Sequence, residues 1–313
     1  MKKKTLIALI TAAVLIVSGS FLLFIGLEKA DLRASQEPVS KVYTAEGSFQ
    51  TIRIDTGACD VRFYKTDGDL TVHVPQTERL EYIVLVEDGV LTISAMDMRQ
   101  WYDFIGIHTY EPVMRVYLPK AEYESLYIQT DTGDIEIPQD FSFDTADVLT
   151  STGDITFSAA VSGNLTVQSS SGDTQISGVN PAYLECRSST GDMMLENVHV
   201  QGDIQLQRST GWLIAKDVSC RNFTSRSNTG DVTLTDVLIT QALQVNTTTG
   251  DVDIQNCDAA TVTIETDTGD VEGNFRTPKW FITSTSTGDV DVPLSREGGE
   301  CRITTSTGDI TFR

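Results

Sequence analysis

From Thr132 onward, a Thr/Ser-Gly-Asp tripeptide recurs along the chain and constrains its architecture more than any other feature. The repeat glycines are Gly133, Gly153, Gly172, Gly191, Gly211, Gly230, Gly250, Gly269, Gly288 and Gly308, at intervals of 19 or 20 residues. Asp follows every one except Gly211, which precedes Trp212. A fixed period of this length marks a solenoid, because one such unit cannot bury its apolar face alone.

Counting from each glycine gives the coil. Seven residues before it stand Leu126, Ala146, Leu165, Leu184, Ile204 and Phe223; five before stand Ile128, Val148, Val167, Cys186 and Leu206. Two residues after it stand Ile135, Ile155, Met193, Leu213, Val232 and Val252. Polar residues fill the intervening positions, the alternation of half-buried strands. The spacing predicts one strand before the glycine, a second after it, and a third apolar patch at Val161, Val179, Val198, Val218 and Val237. The glycine is the corner, free to take a positive φ. Thr and Ser at one and three residues before the glycine share the inward parity. Four residues before it, Arg187, Gln207, Arg226, Asn246 and Glu265 form an outward polar wall suited to many shallow contacts with glycan or protein.

The Asp after each glycine forms a column. Carboxylates stacked one coil apart repel by about 1 kcal/mol per pair in water, so backbone amides, solvent or cations must relieve them. Local corner hydrogen bonding is the main expectation. Ca²⁺ between Asp231, Asp251, Asp270 and Asp289 is the alternative; no other cofactor is expected.

The N-terminus carries Lys2, Lys3 and Lys4, then a largely apolar run over residues 5–27. A run of this length can cross a bilayer of about 30 Å, and the lysines keep its start cytoplasmic. We therefore expect residues 1–27 to be an uncleaved signal anchor, making a single-pass protein of the cell membrane with an extracytoplasmic C-terminal region. Residues 28–41 read as a linker, 42–127 as an antiparallel β capping region, and 128–313 as the solenoid. The expected fold is thus an all-β β-solenoid (β-helix) of about ten 19–20-residue coils, with one transmembrane helix ahead of it. The chain is expected to stop inside a strand at Thr311, Phe312 and Arg313, leaving an unpaired edge open to end-to-end self-association.

Forty-four acidic against 23 basic side chains give a formal charge of −21, or −24 without the three N-terminal lysines. Such a surface repels nucleic acid. Of the five cysteines, Cys186 and Cys301 sit in apolar columns, Cys257 aligns with the valine patch and Cys220 lies close to it. They are expected to be buried free thiols rather than disulfides; Cys59 lies outside the regular repeats.

Residues 96–110 concentrate Trp101, Tyr102, Phe104 and Tyr110. They are expected either to plug the end of the rod or to contact a partner. Catalytic patterns are missing: His73, His108 and His199 fall in different registers, and no nucleophile–base or metal-ligand spacing occurs. Glycan cleavage by outward acids such as Glu136 and Asp253 is a third, weaker reading.

Residues 49–57 (Phe-Gln-Thr-Ile-Arg-Ile-Asp-Thr-Gly), the stretch Val116-Tyr-Leu-Pro119 and the Thr-Gly-Asp-Ile/Val ladder together resemble a bacterial β-strand-repeat family of unknown function whose members are labelled adhesins. The resemblance covers about residues 41–313. It implies a cell-envelope β-solenoid without catalytic residues to transfer. Its expected role is surface interaction or adhesion, with cell-surface glycan or protein as partner. The alternative is an envelope-stress sensor acting on another membrane protein.

Overall fold

The computed structural model of the protein describes residues 14–22, 24, 39–76, 80–98 and 112–313. Two long sheets face each other across one continuous apolar core. One sheet collects the strands before each corner, the other the strands after it. Neighbouring repeats pair in parallel and in register: Ala146 to Thr150 run beside Leu165 to Ser169, which run beside Leu184 to Ser188. This is the expected all-β solenoid. The columns five and seven before the glycine and two after it are buried in every coil except the one around Gly288. The valine patch is buried as well.

The corner glycines hold φ between 129° and 152°, a region that favours glycine. Close stacking adds a second demand. A Cβ on Gly250 would lie 2.3 Å from the Gly230 carbonyl oxygen, and one on Gly269 would lie 2.0 Å from that of Gly250.

A second corner was missed by sequence reasoning. Six residues after the glycine, Gly178, Asn197, Asp217, Asp236 and Asn256 adopt φ between 52° and 68°. This left-handed region is open mainly to Gly, Asn and Asp, and those three types fill the column.

Three expectations require correction. The hydroxyl one residue before the glycine points outward in all ten repeats, because the chain is already turning there; only the residue three before is buried or half-buried. Residues 42–127 are not a purely antiparallel region. Thr51–Ala58 pairs in parallel with both Val90–Asp97 and Glu122–Thr132, and Asp60–Lys65 does so with Val113–Leu118 and Ile135–Ile137. Antiparallel pairing is confined to Val39–Thr44 with Thr71–Gln76, Thr71–Gln76 with Val113–Leu118, and Leu80–Glu87 with Val90–Asp97. The first coil turns at Cys59-Asp60: Cys59 stands where later coils place the glycine, its carbonyl under Gly133.

The third correction concerns the far end. Gly299–Thr304 lies between Thr261–Thr268 and Lys279–Ser284, and Ile310–Phe312 lies between Val271–Phe275 and Val290–Asp291. The chain skips one rung, builds the outermost coil, then returns to fill the gap. Ile310 and Thr311 are therefore paired on both sides, and the open edge belongs to Lys279–Ser284 and Val290–Asp291. Phe312 packs between Phe275 and Phe281, at ring separations of 5.3 and 5.2 Å. The first end repeats the device: the coil of Thr51–Ala58 and Asp60–Lys65 sits inside that of Val90–Asp97 and Val113–Leu118, which follows it in sequence.

Residues 14–22 are helical. Among the described residues no helix is long and apolar enough to cross a membrane; most of the expected anchor lies outside them.

Candidate functional site

The acidic column is a hydrogen-bond ladder. The amide of Asp154 donates to Asp134 Oδ1 at 2.8 Å, Asp173 to Asp154 at 2.7 Å, and Asp192 to Asp173 at 2.8 Å. Beyond Trp212 it resumes: Asp251 donates to Asp231, Asp270 to Asp251, Asp309 to Asp270 and Asp289 to Asp309. Asp60 supplies the first rung, accepting from Asp134 at 3.0 Å. Asp192 accepts the Trp212 amide at 2.7 Å, so each of these carboxylates except Asp289 in the outermost coil accepts the amide of the next coil, which disperses its charge. Asp231, Asp251 and Asp270 occupy consecutive rungs, whereas Asp309 separates Asp270 from Asp289. Among the described residues no group of three or more His, Cys, Asp or Glu is placed to hold a metal ion.

Buried hydroxyls form a second ladder just before the corner. Thr150 Oγ1 donates to the Gly133 carbonyl at 3.4 Å, Thr266 to Gly250 at 3.3 Å, Thr305 to Gly269 at 3.2 Å and Thr285 to Gly308 at 3.0 Å. This ladder fails in the middle of the rod. Ser169 and Ser188 are 7% exposed and their Oγ atoms have no partner. In the next coil Arg208 takes the place of the hydroxyl. It is 2% exposed; its Nε donates to Gly211 O at 3.4 Å and Nη1 to Ser225 Oγ at 3.3 Å, while Nη2 is unpartnered. Desolvation pushes its pKa down to about 10, so the guanidinium remains charged at neutral pH.

Over this stretch the outer face of the pre-corner sheet is concave. A groove of about 380 Å³ crosses five coils. Gln129, Gln168, Arg187 and Gln207 line it from the column four before the glycine, and serines such as Ser170 and Ser189 from the column two before. No Asp or Glu lines it. Arg187 is ion-paired with Glu185 beside it. The expected polar wall is thus present, with Gln207 in the groove; Arg226, Asn246 and Glu265 lie beyond it. Three residues past Ser209, Trp212 is 57% exposed, with Ile214 and Met194 exposed next to it on adjacent strands.

Trp101, Tyr102, Phe104 and Tyr110 lie outside the described residues. Of the histidines, His73 packs 5.0 Å from the Tyr117 ring and His199 Nδ1 lies 3.0 Å from Ser219 Oγ; His108 is outside the described residues. Glu136 and Asp253 stand six coils apart, roughly 29 Å at one strand spacing per coil, too far for a glycosidase carboxylate pair. All five cysteines are free and buried. Burial pushes the thiols of Cys186, Cys220 and Cys301 up to about 12 and that of Cys257 to about 11, which leaves them unreactive.

The sequence profile of the Toastrack DUF4097 family matches residues 49–211 and 200–313. No curated protein matches the chain. Among solved structures, a candidate adhesin from Parabacteroides distasonis is 13% identical with a TM-score of 0.49, covering 89% of this chain and 98% of its own. A candidate adhesin from Parabacteroides merdae is 14% identical with a TM-score of 0.47, covering 76% and 97%. A candidate lipid-binding protein from Parabacteroides distasonis is 13% identical with a TM-score of 0.40, covering 76% and 95%.

Proposed function

The chain belongs to the Toastrack DUF4097 family, and from that premise we propose that it is a non-enzymatic surface-interaction protein whose rod carries a contact groove. The groove on the pre-corner sheet is the observation that carries this reading. It offers amides and hydroxyls from five successive coils to one extended ligand. Many shallow contacts from a rigid repeat give avidity without any deep pocket. In this reading residues 5–27 tether the protein to its own membrane and the groove faces cell-surface glycan or protein outside.

The test is photocross-linking in cells with the full chain, from Gln207 in the groove and from a position beside Trp101. Capture of glycan or a surface protein at Gln207 is the expected result. Capture of a membrane protein beside Trp101, with nothing at Gln207, overturns the reading in favour of the envelope-stress sensor. End-to-end self-association, in the same reading, uses the open rung of Lys279–Ser284 and Val290–Asp291. Sedimentation as a strict monomer at high concentration overturns that part.

A further inference from the structure

The coil around Gly211 departs from the repeat twice, and both departures flank the groove. Its acidic position holds Trp212, and its buried hydroxyl position holds Arg208. Neither fully replaces the group it displaces. The exposed indole leaves a gap in the carboxylate ladder. The buried guanidinium keeps an unpartnered N–H group, which costs about 1–3 kcal/mol. Departures from local consistency concentrate at functional sites, and unsatisfied buried polar groups call for an explanation.

The groove lies directly beside both departures. Its serines Ser151, Ser170, Ser189 and Ser209 carry the exposed hydroxyls, whereas the unpartnered Oγ atoms of Ser169 and Ser188 are buried beneath it. Trp212 lies three residues beyond Ser209, hence within about 11 Å of the groove's last coil. The site therefore combines a row of amides and hydroxyls, with the Arg187 charge balanced by Glu185, and the exposed Trp212 indole at its edge.

Resting on the reading above, we propose that the ligand is a neutral glycan with equatorial hydroxyls, its chain seated in the groove and one ring stacked on Trp212. Such rings present hydroxyls at the edge and flat C–H faces above and below. The amides and serines match the edge, and the indole matches the face. A protein partner fits less well, because protein interfaces centre on a buried apolar core, and the groove lining offers only Leu149 as a large apolar side chain. An acidic glycan would meet the carboxylates of Asp192 and Asp231 on either side of Trp212, within a chain of charge −21.

The experiment is calorimetric titration of the full chain in detergent with three probes: a β-1,4-glucan oligosaccharide, an N-acetylglucosamine oligosaccharide and polygalacturonate. Trp212→Asp restores the repeat's own residue, so its melting temperature is expected to equal or exceed that of the parent. Binding of a neutral probe is expected to weaken about tenfold in Trp212→Asp and to survive in Trp212→Tyr, which keeps an aromatic face. Equal binding by the parent and Trp212→Asp overturns the proposal, as does equal loss in both variants. Preference for polygalacturonate, or no binding by any probe, overturns it too. The contact reading is distinguished separately: capture of a surface protein at Gln207 preserves it while removing the glycan, and capture only beside Trp101 removes both.

Discussion

Each corner depends on single residues. Gly250 combines a φ of 150° with backbone 2.3 Å from where a Cβ would stand. Gly250→Ala is expected to cost about 3 kcal/mol or more, read as a lowered urea midpoint with little change in slope. Asp217 sits at the second corner with φ 52°. Asp217→Gly should be nearly neutral, whereas Asp217→Val should lose about 1–2 kcal/mol; equal stability of the two variants would contradict the conformational account. The first corner was legible because only glycine satisfies it, so one letter repeats. The second was hidden because Gly178, Asn197, Asp217, Asp236 and Asn256 solve the same problem with three residue types. Cys59 escaped notice for a related reason: the first coil turns without the glycine that marks the others.

At the level of elements, the coils at the two ends are laid down out of sequence order. Periodicity could not reveal this, because the segments around Gly288 and Gly308 carry the same motif and either could pair with Thr261–Thr268. The swap is stabilised by specific contacts. Phe312→Ala removes the ring between Phe275 and Phe281 and is expected to cost about 3–5 kcal/mol, measurable by thermal or urea unfolding. Lys279 is buried where the chain jumps a rung and donates to Asp258 and Thr277. Burial pushes the Asp258 carboxyl up, but hydrogen bonds from Lys279 and Thr277 outweigh it and hold it below its ordinary value. A depressed carboxyl stabilises the fold above its unfolded pKa of about 3.9, and that contribution disappears as pH falls through the folded value. Asp258→Asn should therefore destabilise the protein at pH 7 and converge with the parent in acid, as pH-dependent unfolding would show. The groove was half-legible: the outward column naming Arg187 and Gln207 was clear, but its concavity depends on how successive strands stack.

Across the whole molecule, stacked carboxylates and a charge of −21 oppose compactness, and the amide ladder offsets only the local part. Raising NaCl to 1 M shortens the screening length to about 3 Å, so the melting temperature is expected to rise with salt. Ca²⁺ at matched ionic strength is expected to add nothing; a specific Ca²⁺ increment would return Asp231, Asp251, Asp270 and Asp289 to the status of ligands.

The interleaved ends have a bearing on how such a rod can evolve. Each end is defined by two coils that enclose one another, so a unit cannot be appended there without dismantling the interleaving. The middle coils, from Gly153 to Gly250, obey no such condition, because each contacts only its neighbours in sequence order. Duplication of one unit of 19 or 20 residues there would lengthen the rod by about 4.8 Å and leave both termini intact. Reach is thus a heritable variable, set by internal duplication between two fixed endpieces.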